Sequence, residues 1–192
     1  EDAPELLRES KEGLARVKRI VNDLRDFARM DTAERASTDI HAVLDSALQV
    51  AGNEIKYKAE VVKEYADLPP VVCNAAQLGQ VFVNLLINAA QAIEGHGSIT
   101  LRTGAAPESV WIDISDTGTG MPPEIQKRIF EPFYTTKPVG KGTGLGLSIS
   151  WDIVKRHGGN LEVQSSPGQG TRFRITLPTV AQAELATSAT NH

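Results

Sequence analysis

Three groups of residues in this chain have types and spacings suited to chemistry. The first is Asp116, which closes the apolar run of "SVWIDISD" and is followed by Gly118 and Gly120 in "DTGTGMP". Asp-Thr-Gly fits the catalytic turn of an aspartic peptidase, where two acids share a proton. It also fits an acid that reads a ligand, or a plain turn after a strand. The second group is Asn84 and Asn88, four residues apart in "AAQLGQVFVNLLINAAQAI". That spacing puts both amides on one helix face, beside Leu85, Leu86 and Ile87. Two readings stand: core amides satisfied by neighbours, or neutral oxygens completing the shell of a magnesium ion already held by phosphates. The third is "GKGTGLGLSIS", with glycines at 142, 144 and 146 where a helix begins. Bare backbone N–H groups at a helix mouth favour an anion. The chain has no Gly-Lys-Ser/Thr, so this is no P-loop. Leu147 occupies the place of the third glycine of a dinucleotide fingerprint, so that scheme fails too. Phosphate binding by another scheme remains.

Between Asp116 and the glycines lies "IFEPFYTTKPVGK" (129–141), with Phe130, Phe133, Thr136, Lys137 and Lys141. It has no period, and a long loop in a compact domain is usually functional. Its lysines can meet phosphate oxygens as point charges. The bland alternative is a solvated loop.

These groups need elements to position them. Residues 4–31 read as one long helix with a wide apolar stripe at Leu7, Leu14, Val17, Val21, Leu24 and Ala28, suited to a helical bundle and requiring a partner surface. A polar break follows at 32–37. Thr38 or Asp39 caps a helix over 40–53. A strand is expected over 59–66, ended by Pro69-Pro70, and an apolar helix over 75–93. Strands follow at 97–104 and 109–116, then a short helix over 122–129 opened by Pro122-Pro123, a loop over 130–143, and a helix over 144–157 stopped by Gly158-Gly159. Residues 160–166 and 171–178 form a last hairpin. The tail from Thr179 has no periodicity and is expected to be disordered. The sum is a helix followed by a two-layer α/β sandwich, an α+β fold.

At 192 residues, 41% hydrophobic and 23% charged, the chain suits one soluble core with an appendage. A net charge of −4 argues against a nucleic-acid binder. The single cysteine, Cys73, excludes a disulfide framework and fits a reducing, cytoplasmic setting. No apolar run approaches the ~20 residues of a membrane span, so no membrane contact is expected of this piece. It opens on Glu1, as a piece of a longer protein would.

"NLLINAAQA", "DTGTGMP", "FEPFYTTK", "GKGTGLGL" and "GTRFRITLP", in that order, resemble the ATP-binding domain of sensor histidine kinases. This group is related to gyrase, mismatch-repair ATPases and a heat-shock chaperone. The resemblance covers about residues 38–178 and implies a Bergerat-type sandwich with a mixed sheet. Residues 1–31 resemble part of the preceding dimerisation domain, with 32–37 as linker and 179–192 as tail. It implies ATP and Mg2+ as cofactors, a response regulator receiver domain as partner, and a homodimer through the N-terminal helix of the full-length protein. Asp116 would accept a hydrogen bond from the adenine amino group; guanine carries a carbonyl there. Gly118 and Gly120 would let backbone pass close to the purine, and Thr171 would help hold it, through water. Asn88 would ligate magnesium and Asn84 would support phosphate or metal. Residues 131–142 would be the lid. Phe130, Phe133, Thr136, Lys137 and Lys141 would contribute there, Lys137 as a catalytic cation. Gly142, Thr143, Gly144, Leu145, Gly146 and Leu147 would hold phosphate at the helix mouth.

Hydrolysing members of the group carry a glutamate where this chain has Asn84, and an amide cannot act as a base. Transfer to a protein nucleophile is therefore favoured over hydrolysis. The family's acceptor histidine is usually followed by Glu or Asp. His41, His96, His157 and His192 are not, and surface or capping roles are expected for them. The acceptor helix is thus expected to lie outside this chain. Gln91 stands where some relatives carry a basic residue. A non-catalytic ATP-binding signalling module is the alternative function, and a serine kinase of the same superfamily is disfavoured by the stripe at 4–31. The peptidase reading leaves both asparagines and the glycines unexplained.

Overall fold

The structure, a computed structural model, describes residues 35–138 and 142–179, together with Gly13. The expected helix at 4–31, Lys141, and the tail beyond Thr179 lie outside the described residues. The elements run β1 (Ala36–Thr38), α1 (Ile40–Ile55), β2 (Ala59–Glu64), β3 (Val71–Cys73), α2 (Ala75–Ala92), β4 (Gly97–Ala106), β5 (Ser109–Asp116), α3 (Pro123–Gln126), α4 (Gly146–Arg156), β6 (Asn160–Ser165) and β7 (Thr171–Pro178).

Five strands form one mixed sheet in the order β2-β4-β5-β7-β6, with β2 and β4 parallel and the other pairs antiparallel. The parallel pair is bridged by β3 and α2, the crossover that parallel strands require. One face of the sheet carries the helices, giving the two-layer α+β sandwich expected. Alternation in β5 and β7 sends Val110, Ile112, Ile114, Phe173, Ile175 and Leu177 inward, where they meet the fully buried Leu78, Phe82, Leu85 and Leu86 of α2. Burying such side chains contributes about 1.5–3 kcal/mol each.

On the outer face, Asp113 is only 2% exposed. Arg174 donates to both its oxygens, at 2.7 and 2.6 Å, and lies over the Trp111 ring at 4.7 Å. A burial this deep would be costly without that bidentate pairing. Trp111 in turn lies flat against Gly104, its cross-strand partner; a Cβ there would fall 2.3 Å from the ring.

Asp39 caps α1, accepting from the N–H groups of His41 and Ala42. Asn74 caps α2, accepting from Gln77 N–H. His157 ends α4 and is more than a surface cap: it is 5% exposed. Its Nδ1 pairs with Ile153 O at 2.8 Å and its Nε2 accepts from Asn74 N–H at 3.0 Å. The neutral imidazole, one nitrogen donating and one accepting, ties the end of α4 to the start of α2. Burial pushes its pKa below the usual histidine value.

Two strands depart from the expected pattern. Ala36–Thr38, within the expected break and cap, pairs with Val71–Cys73 as a small antiparallel ribbon. Three-residue strands carry too little alternation to announce themselves, and only their mutual pairing defines them. Thr179 is 9% exposed and donates its N–H to Glu108 O, so the chain is anchored at least that far.

Candidate functional site: a cleft between α2, α4 and the end of the sheet

The strongly apolar side of α2 faces the sheet, so Asn84 and Asn88 emerge along its flank beside α4. Asn84 Nδ2 donates to Ser150 Oγ at 3.0 Å, and Asn88 Nδ2 reaches Asn84 Oδ1 at 3.5 Å. Asn84 Oδ1 thus accepts from Asn88, and both side chains line the cleft. Gly146 explains how α4 can lie so close: a Cβ there would fall 2.4 Å from Asn84 Oδ1. Among the described residues no side chain caps the first turn of α4, which leaves its N–H groups to a ligand.

The far end of the cleft is made where β5 and β7 run side by side. Asp116 and Thr171 are direct cross-strand partners. Asp116 is 8% exposed. Its Oδ1 accepts from Gly118 N–H at 2.8 Å and from Thr171 N–H at 3.3 Å. Its Oδ2 takes no hydrogen bond among the described residues, and the carboxylate lines the cleft. Burial pushes its pKa up, while the two backbone donors pull it back. Among the described residues no second acid is paired with it, which speaks against the peptidase reading. Gly120 has φ +66°, and a Cβ there would fall 1.9 Å from Ser166 O. That turn needs glycine for both reasons.

Together these elements enclose a cleft of about 570 Å3. It brings together Asn84 and Asn88 from α2, Asp116 and Gly120 from the end of β5, and Thr171 from β7. Thr136 and Lys137 enter from the loop, and Gly142, Thr143, Gly144, Gly146 and Leu147 from the glycine segment. Among the described residues, four of those expected do not line it. Gly118 acts from behind, through its N–H on Asp116. Leu145 is buried in the core, 6% exposed, since an apolar side chain at the start of α4 turns inward. Phe130 packs partly buried against the core. Phe133 is 66% exposed with φ +66°, held by its N–H on Gly144 O at 2.9 Å.

Lys137 Nζ donates to Asn88 Oδ1 at 3.0 Å and also to Gln91 Oε1. Burial lowers its pKa. The contact shows that Asn88 Oδ1 accepts a cation at this point of the cleft. No cluster of three or more His, Cys, Asp or Glu residues exists among the described residues. The donor set therefore fits a magnesium ion carried in by phosphates and completed by one amide, not a protein-built metal cage.

Sequence reasoning missed Ser150, which orients Asn84, and Ser165, which accepts from Met121 N–H and contacts Thr171. Ser150 had a signal: a polar residue on the apolar face of α4, four after Gly146.

Residues 73–181 match the family described as histidine kinase-, DNA gyrase B-, and HSP90-like ATPase. The chain belongs to that family. It is 37% identical over 184 residues to the sensory histidine kinase/phosphatase NtrB of Rhodobacter capsulatus, covering 88% of this chain and 51% of the relative. To the sensor kinase CckA of Brucella abortus it is 36% identical, covering 93% of this chain and 21% of the relative. It thus spans from about a fifth to about half of such relatives. Among solved structures, the mycobacterial sensor histidine kinase MprB superposes with TM-score 0.67 at 29% identity, over 75% of this chain and 97% of that one. Full-length ShkA in complex with AMPPNP gives TM-score 0.76 at 29% identity, over 91% of this chain and 37% of that one. The part matched is the ATP-binding catalytic domain of sensor histidine kinases, as the five motifs implied. Among the described residues no helix is long and apolar enough to cross a membrane.

Proposed function

We propose that this chain is the catalytic part of a sensor histidine kinase, binding Mg-ATP and passing the γ-phosphoryl group to a histidine on an acceptor helix outside this chain. The observation that carries this is the polarity of the cleft. One end offers a buried acid with an unused oxygen. The other, bounded by two amide oxygens and an uncapped helix, offers N–H donors. Adenine and triphosphate require that order.

In this reading Asp116 Oδ2 accepts from the adenine amino group and Thr171 flanks it. Gly142, Gly144 and Gly146 bring backbone N–H groups to the phosphates at the mouth of α4. Asn88 holds magnesium through Oδ1, and Asn84, fixed by Ser150, supports phosphate or metal. Such an ion would supply positive charge against the charge that develops on transfer. Lys137 supplies a further positive charge toward the γ-phosphate, and the loop over 131–142 covers the nucleotide. Asn84 has no basic nitrogen or carboxylate with which to activate water, so the site favours a nucleophile that needs little activation, such as a neutral imidazole. Positioning and charge stabilisation are then the whole of its contribution.

The same reading supplies a response regulator receiver domain as the onward acceptor, a homodimer through the N-terminal helix, and a cytoplasmic location, with any membrane anchor in segments of the full-length protein. Nucleic acid is not a partner. The test mixes this chain with γ-labelled ATP and a separate domain carrying the acceptor helix of the full-length protein. Label on the acceptor's histidine is expected. Bound ATP with no transfer would make it the non-catalytic signalling module, and no ATP binding would end the proposal.

A further inference from the structure

Ser165, at the end of β6, stands behind the Asp116–Thr171 pair. Its Oγ accepts from Met121 N–H at 2.8 Å, contacts Gly170 O at 2.9 Å and contacts Thr171 Oγ1 at 2.9 Å. A serine hydroxyl has one hydrogen. Gly170 O can only accept, so Ser165 spends its hydrogen there. The contact with Thr171 is then made by the hydrogen of Thr171. This is the one placement of the two hydrogens that satisfies all three contacts. Gln126 braces the same corner, donating from Nε2 to Met121 O at 2.8 Å and Ser165 O at 2.9 Å.

We propose that Ser165 is a positioning residue for base selection: by taking the hydroxyl hydrogen of Thr171, it makes Thr171 Oγ1 an acceptor toward the cleft, beside the acceptor Asp116. The inference rests on the adenine reading of Asp116 given above. Two acceptors side by side demand an edge that carries hydrogens. The amino group of adenine has two. A water between base and Thr171 can give one hydrogen to Oγ1 and direct the other at a ring nitrogen. A 6-oxopurine instead turns a carbonyl oxygen toward two acceptors and is repelled. Were the Thr171 hydroxyl free to turn, it could donate to that carbonyl and much of the rejection would vanish. Specificity thus depends on a residue that does not touch the base.

The test is calorimetric titration of this chain with ATP and with inosine 5′-triphosphate at fixed excess magnesium. Ser165→Ala is expected to narrow the preference for ATP by about three- to tenfold, the worth of one ordinary hydrogen bond, mainly through tighter binding of the inosine nucleotide. Ser165→Thr, which keeps the acceptor oxygen, is expected to hold the wild-type ratio. A purely structural role would weaken both nucleotides together. If the alanine variant does not fold, Ser165→Cys, with a sulfur that accepts poorly, is expected to narrow the ratio in the same direction. An unchanged ratio in a folded Ala or Cys variant overturns the inference. Asp116→Asn separates the two failures. If it leaves ATP affinity intact, the adenine reading itself falls; if it weakens ATP while the Ser165 variants keep the ratio, only the role of Ser165 falls.

Discussion

Lys137 Nζ lies 3.0 Å from Asn88 Oδ1 across 49 residues of sequence. The lysine holds the one oxygen that the proposed function assigns to magnesium, and Gln91 helps to keep it there. If Asn88 Oδ1 ligates magnesium as proposed, the ion and the Lys137 ammonium repel each other at that oxygen, so Lys137 is expected to withdraw as the metal enters. Lys137→Met is then expected to raise Mn2+ affinity in the ADP complex by about two- to tenfold, the worth of the bond displaced. ADP is the suitable nucleotide because it lacks the γ-phosphate that Lys137 would contact. Electron paramagnetic titration reads it directly, and Asn88→Ala, measured alongside, should weaken the ion.

Asp116→Asn is expected to separate binding from stability. The variant loses about 1–3 kcal/mol of ATP affinity, since an amide N–H would replace the acceptor facing the adenine amino group. The ligand-free protein should become more stable at neutral pH. Burial raises the folded pKa of Asp116 above the ordinary 3.8. Its favourable contribution is therefore complete below that value and is lost as pH rises through the folded pKa. Denaturant melts of the ligand-free pair should diverge as pH rises from about 4 and then run parallel. Constant separation at every pH would contradict this.

His157 predicts the opposite slope. Burial holds its pKa below the ordinary 6.5. Stability from the neutral ring is present in full above that value and falls as acid drives the pH through the folded pKa. Protonation puts a hydrogen on Nε2, which then faces Asn74 N–H. His157→Gln should flatten the acid limb below about pH 6.5 while costing about 1–3 kcal/mol at pH 7.5. Melts across that range check it.

Gly146→Ala tests the close approach of α4 to α2. The added methyl meets Asn84 Oδ1 at 2.4 Å. Either α4 shifts or Asn84 leaves Ser150, and both disturb the phosphate end of the cleft. The expected cost is about 1–3 kcal/mol of stability, with a loss of ATP affinity larger than the loss for adenosine. Equal losses for the two ligands would show that the glycine serves packing alone.

Much of this molecule is written in local pattern. The alternation of "SVWIDISD" and "TRFRITLP" is a property of neighbouring residues, so β5 and β7 appear where expected. The four-residue step from Asn84 to Asn88 puts both amides on one flank of α2 for the same reason. Three glycines at the start of a helix mark a candidate anion site without any partner. The five motifs in order identify the family.

What no stretch of sequence contains is register. Asp116 faces Thr171 because β5 and β7 pair with no slip, and one residue of slip would turn either away. Ser165 behind Thr171, Ser150 on Asn84 and Lys137 on Asn88 are contacts between segments 6 to 66 residues apart. Phe133 and Leu145 share motifs with residues of the cleft, yet one points to solvent and the other to the core. Periodicity acts between neighbours and is decided by backbone geometry, whereas the partner of a polar side chain is chosen by how whole elements pack.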